Sequence, residues 1–93
     1  MLTRNRDTYY KNIIMEKKEV LLKLQEIFRE VFDNEELIIS YETVAEDIDE
    51  WDSLAHIQLI KEIEKQLSIK ISSQELFSWD NVGEMVDSIY SKL

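Results

Sequence analysis

The sequence predicts an all-α domain, a four-helix bundle with three longer helices, one short helix and a long loop between helices one and two. Three observations carry this. Proline is absent and Gly83 is the single glycine, so the tight turns of an all-β chain lack the residues that make them. Apolar residues recur at three-and-four spacing in three separate stretches, the pattern of helices that bury one face. With 93 residues and no cysteine, the chain has one modest core and no cross-link, so apolar packing must hold it.

The first helix carries Val20, Leu21, Leu24, Ile27, Phe28, Val31 and Phe32 on one stripe, with Glu19, Lys23, Glu26, Arg29 and Glu30 on the wet face. Residues 33–52 form the long loop, whose Leu37, Ile38, Ile39, Val44, Ile48 and Trp51 are expected to pack onto the bundle. A loop of that length in a small domain is often functional. The second helix is expected to start at Ser53 with Asp52 as its N-cap, and Leu59, Ile60, Ile63 and Leu67 form its core stripe. Ser72 and Glu75 have capping-box spacing and predict a short third helix reaching Phe77. Asn81 and Glu84 repeat that spacing before a last helix, where Val82, Met85, Val86, Ile89, Tyr90 and Leu93 make the stripe.

Charge and composition narrow the function. At 44% hydrophobic and 33% charged, the chain is a folded domain rather than a disordered tail. The net charge of −9 argues against nucleic acid and anionic membrane surfaces, and favours partners with basic patches. Nine acidic residues and no Lys or Arg lie between Asp33 and Asp52. No apolar run approaches a membrane span and no signal peptide is legible, so a cytoplasmic location is expected. The absence of cysteine removes Cys-ligated zinc and a Cys nucleophile. Residues 1–14 stand apart, with Arg4, Arg6 and Lys11 against Asp7, a local charge of +2 from three cations and one acid. Two readings stand side by side. One is a disordered extension ahead of a domain of residues 15–93 that begins at Met15; the other is a frayed or lengthened start of the first helix.

The informative stretch is Glu50-Trp51-Asp52-Ser53-Leu54-Ala55-His56-Ile57-Gln58-Leu59-Ile60. It resembles the attachment motif of acyl and peptidyl carrier proteins, whose core is Asp-Ser-Leu. The tripeptide alone is a weak signal, and the context is stronger. A striped helix and an acidic loop precede it, and Ile63-Glu64, Leu67-Ser68-Ile69-Lys70-Ile71 and Asn81-Val82-Gly83-Glu84-Met85-Val86 follow. The resemblance spans about residues 16–93. It implies a bundle of acyl-carrier type and a 4'-phosphopantetheine arm, transferred from coenzyme A to Ser53 by a phosphopantetheinyl transferase. It further implies an acyl group held as a thioester on the arm's thiol. The chain is then a phosphoprotein and a non-catalytic carrier that other enzymes act on. Physical reasoning supports the placement, since free amides and the positive dipole end at a helix start suit a phosphodiester. By the same resemblance Asp52 serves transferase recognition as well as capping. Glu50, Leu54 and Ile57 meet partner enzymes through an acidic patch with an apolar centre. Those partners are an acyl-activating ligase or an acyltransferase or synthase. Lys61 departs from the family's frequent apolar residue. Ala55 and His56 differ from the acidic form found in the fatty-acid synthesis carrier. These departures point to a specialised pathway of lipid or secondary-metabolite biosynthesis, and a monomer suits such a shuttle.

Other readings compete with this one. Ser53 also fits a bare helix-start serine, Asp52 a plain cap, and Leu54 and Ile57 ordinary burial against the loop. An acidic helical interaction module without a prosthetic group has the same composition. A Ser53–His56 nucleophile lacks an orienting acid, an oxyanion hole and a pocket, so His56 is expected to be a lone surface histidine. Asp47, Asp49 and Asp52 do not form a calcium loop, since the sixth and twelfth places counted from Asp47 hold Asp52 and Gln58 rather than Gly and Glu. No metal site is expected.

Overall fold

The computed structural model describes residues 16–93; the N-terminal extension 1–14 lies outside the described residues. Three α-helices follow one another as α1 (Lys17–Val31), α2 (Ser53–Leu67) and α3 (Val82–Lys92), with a single 3-10 turn, Ala45–Asp47, in the long loop. Among the described residues there is no strand, and the all-α class stands.

The stripes read from the sequence build the core. Val20, Leu24, Ile27 and Phe28 of α1 meet Leu59 and Ile63 of α2 and Val82, Val86 and Ile89 of α3, all of them fully buried. Each such side chain contributes about 1.5–3 kcal/mol through the area it removes from water. Helix α1 packs against both α2 and α3, whereas the backbones of α2 and α3 stay more than 8 Å apart, Cα to Cα. The gap between them is spanned by residues 68–81, and it positions the site described below.

The long loop does pack, through Ile39 and Ile48, both buried. Side chains of α1 hold its backbone: Arg29 Nε donates to the Leu37 carbonyl at 2.7 Å, and the Ile39 amide donates to Gln25 Oε1 at 3.0 Å. Further on, the first amides of α3 donate into the loop, Val82 to the Thr43 carbonyl at 2.9 Å and Gly83 to the Tyr41 carbonyl at 2.7 Å. Gly83 is required by that close approach, since a Cβ there would sit 2.9 Å from the Tyr41 carbonyl oxygen.

Three expectations are corrected. The short third helix is a hydrogen-bonded turn, in which the Ser72 carbonyl accepts from the Glu75 and Leu76 amides, each at 3.1 Å. Ser72 Oγ accepts from the Glu75 amide at 3.2 Å, as a cap should. The Glu75 carboxylate, however, turns away to Ser88 and to Lys92 at 3.0 Å, so the reciprocal half of the cap is missing and the turn does not propagate. Ile38, expected to pack, is 75% exposed, because the adjacent Ile39 takes the inward position. Tyr90, placed on the last core stripe, is exposed with the Lys17 ammonium 5.8 Å over its ring.

Candidate functional site

Ser53 is the first residue of α2 and is exposed. Asp52 caps the helix from extended backbone (φ −107°, ψ −173°), its Oδ1 accepting from the Ala55 amide at 2.8 Å. The Asp52 carbonyl accepts from the His56 amide at 2.8 Å. These two bonds use the third and fourth amides that follow Asp52. Among the described residues, no protein acceptor takes the amides of Ser53 and Leu54. Two free N–H groups at the positive end of α2, beside an exposed hydroxyl, form a seat for phosphate oxygens.

An aromatic cluster stands beside this seat. Trp51 is half-buried and packs edge-on against Phe28, with ring centroids 5.1 Å apart at 86°. Its indole Nε1–H donates to His56 Nδ1 at 3.0 Å, which leaves the imidazole proton on Nε2. His56 Nε2–H then donates to the Leu76 carbonyl at 2.5 Å. The His56 ring lies against three aromatic rings, with centroids 5.8 Å from Trp51, 5.3 Å from Phe77 and 6.3 Å from Trp79. A cavity of about 390 Å³ opens next to Ser53, lined among others by Trp51, His56, Phe77, Trp79 and Met85.

The structure brings several of the expected site residues together and changes the reading of one. Asp52 and Ser53 sit at the helix start, and Glu50, Leu54 and Ile57 are all exposed around it, Leu54 at 68%. His56 is a half-buried link rather than a lone surface histidine, and both its ring nitrogens are engaged away from Ser53. It therefore has no lone pair with which to take a proton from the serine hydroxyl. Sequence reasoning missed Phe77, Trp79 and the cavity. The Phe77-Ser78-Trp79 run was the available signal, two large aromatics in a short polar linker. Among the described residues, no helix is long and apolar enough to cross a membrane. No group of three or more His, Asp or Glu there is arranged to hold a metal ion.

Two comparisons with known proteins give a match. A family model described as a phosphopantetheine attachment site matches residues 22–89. The solution NMR structure of a holo acyl carrier protein from Geobacter metallireducens is similar, at 42% identity and a TM-score of 0.74. That similarity covers 78% of this chain and 84% of the other. No curated protein matches.

Proposed function

The chain belongs to the phosphopantetheine-attachment family as an acyl carrier protein, and from that premise we propose that Ser53 is the residue that bears the arm. The chain is a carrier and not a catalyst, with covalently attached 4'-phosphopantetheine as its prosthetic group. The arm supplies a thiol on which an acyl group rides as a thioester; the protein supplies position and recognition. The observation that carries the assignment to Ser53 is the helix start itself. There an exposed hydroxyl stands beside two amides without protein acceptors, and Asp52 holds the turn in shape. A phosphodiester on Ser53 Oγ takes up those amides without disturbing the cap.

The domain that does this is residues 15–93, with 1–14 as an extension ahead of it. A phosphopantetheinyl transferase modifies the chain, and biosynthetic enzymes receive it. In our reading the enzyme that loads it is an acyl-activating ligase or an acyltransferase, serving a specialised pathway. Support for that finer reading comes from Ala55 and His56, which differ from the acidic form of this segment in the fatty-acid synthesis carrier. The exposed Leu54 and Ile57, rimmed by Glu50, offer such an enzyme an apolar centre with an acidic edge.

The test is intact-mass spectrometry after incubation with coenzyme A and a broad-specificity phosphopantetheinyl transferase. Wild type is expected to gain one arm, and Ser53→Ala, which stays folded, none. An arm that persists in Ser53→Ala, or that maps to Ser40 or Ser73, rules the assignment out. A wild type that takes no arm leaves the interaction module as the surviving function.

A further inference from the structure

The charges on α2 do not follow the acidity of the chain as a whole. Six residues of the helix are exposed, namely Ser53, Leu54, Ile57, Gln58, Lys61 and Lys65. Leu54, Ile57, Lys61 and Lys65 recur at spacings of three and four, so they share one outward face. The two glutamates of the helix turn to its flanks instead. Glu62 is half-buried and accepts from Gln66 Nε2 at 2.8 Å, and the same amide reaches Glu30 of α1 at 2.9 Å. Glu64, two residues on and so about 200° round the helix, is half-buried on the other flank. It accepts from the Ile71 amide at 2.7 Å. Among the described residues, neither lysine ammonium forms an ion pair. The outward face is therefore apolar at Leu54 and Ile57 and positive beyond them, with Lys61 and Lys65 about 10 and 16 Å from Leu54 along the axis. At its other end Asp49, Glu50 and Asp52 are exposed.

We propose that this face is read by its polarity. The enzyme that docks on it carries basic groups toward Ser53, an apolar socket for Leu54 and Ile57, and acidic groups that meet Lys61 and Lys65. The proposal rests on Ser53 being the attachment residue, and it adds a positive far end to the apolar centre and acidic edge already described. The two lysines act in two ways. They attract carboxylates on a matching partner, and they repel a partner whose docking patch is basic along its whole length, so they discriminate as well as bind. Polarity also fixes direction. A partner turned end for end sets its basic groups against Lys61 and Lys65, and its acidic groups against Asp49, Glu50 and Asp52. Only one orientation matches both ends, and that orientation is defined relative to Ser53, which lies beside the acidic end. A face acidic along its whole length would hold a basic partner without choosing between the two directions.

The experiment uses two stapled helical peptides of equal length with the same apolar stripe, as the simplest surfaces of each charge pattern. One carries arginines at one end and glutamates at the other; the second carries arginines at both ends. Each is titrated at low salt into isotope-labelled protein treated with coenzyme A and a broad-specificity transferase. The proteins are wild type, the double variant Lys61→Gln with Lys65→Gln, and the double variant Lys61→Glu with Lys65→Glu. In wild type the bipolar peptide is expected to shift the amides from Leu54 to Lys65. It is expected to bind the glutamine variant more weakly, and the glutamate variant at least about fivefold more weakly, the effect of reversing two exposed charges. The all-basic peptide is expected to gain affinity at α2 along the same series, and both trends should shrink at high salt. Glutamine matches lysine in helix propensity, so a graded trend through that variant marks charge rather than lost structure. Equal affinity of the bipolar peptide for all three proteins overturns the proposal. So does a bipolar peptide that shifts no α2 amide of wild type, or an all-basic peptide that shifts them more strongly. Intact mass is read first. An absent arm counts against Ser53 as the attachment residue alone, because the peptides dock on α2 with or without it.

Discussion

Two linkers join the helices, and they are held by different means. Residues 32–52 are pinned by buried apolar side chains, Ile39 and Ile48, and by bonds that end on loop backbone, from Arg29, Gln25 and the first amides of α3. Residues 68–81 bury Ile71 and rest Ile69, Leu76 and Trp79 partly buried against the core, and they are also tied by polar side chains drawn from two helices. Glu64 accepts from the Ile71 amide at 2.7 Å, His56 donates to the Leu76 carbonyl, and Glu75 receives Ser88 and Lys92. The first linker depends more on burial. The second depends more on charged and hydrogen-bonding groups, and both linkers line the cavity beside Ser53.

The largest expected effect breaks the first linker. Ile48→Ala and Ile39→Ala should each cost about 2–5 kcal/mol, because each removes a buried side chain that surrounding backbone cannot fill. Urea denaturation reads this directly, and midpoints near wild type would show that the loop is not held by burial. A smaller loss is expected from Gly83→Ala, about 1–3 kcal/mol. Its Cβ would lie 2.9 Å from the Tyr41 carbonyl oxygen, so either the loop or the start of α3 has to shift. The same denaturation series, with amide chemical shifts at Thr43 and Gly83, separates strain from simple propensity. Shifts unchanged at both positions would count against the close approach.

The smallest effect sharpens the contrast by pH. Hydrogen bonds from Ser88 and then Lys92 hold the Glu75 carboxyl below the usual carboxylate range. Its stabilising contribution is therefore fully present above the unfolded-state value and is lost as pH falls through the lower folded-state value. Glu75→Gln should melt below wild type at neutral pH, and the gap should close as pH falls through and below the ordinary carboxylate range. Ile48→Ala should keep its deficit throughout that range. Parallel curves of Tm against pH for Glu75→Gln and wild type would contradict the ionic account of the second linker.

How much of this was legible in the sequence follows from the same contrast. Helix stripes are local and periodic, so Val20 to Phe28, Leu59 to Ile63 and Val82 to Ile89 could be read directly. The start of α2 was legible too, because a cap and its free amides are determined within four residues, Asp52 to Ala55. The partners of His56 were not. Its acceptor is a backbone carbonyl 20 residues away, and every residue type has that group, so no pattern marks it. Glu75 misled for a related reason. Its spacing from Ser72 fits a capping box, but α3 brings Ser88 and Lys92 to the carboxylate, and a charged tertiary partner outcompetes a local cap. Ile38 and Ile39 are equally apolar, and only the tether from Gln25 decides which one faces inward.

The backbone of α1 comes close to both other helices, whose own backbones stay more than 8 Å apart, Cα to Cα. That arrangement makes the molecule a hub with two spokes, and it sets an order of opening. Either α2 or α3 can lift from the hub while the other stays docked, so their backbone amides can exchange with solvent through partial openings. No partial opening frees α1, whose amides exchange only when the whole domain unfolds. The helix that starts at Ser53 is therefore a spoke, able to loosen while the hub stays in place.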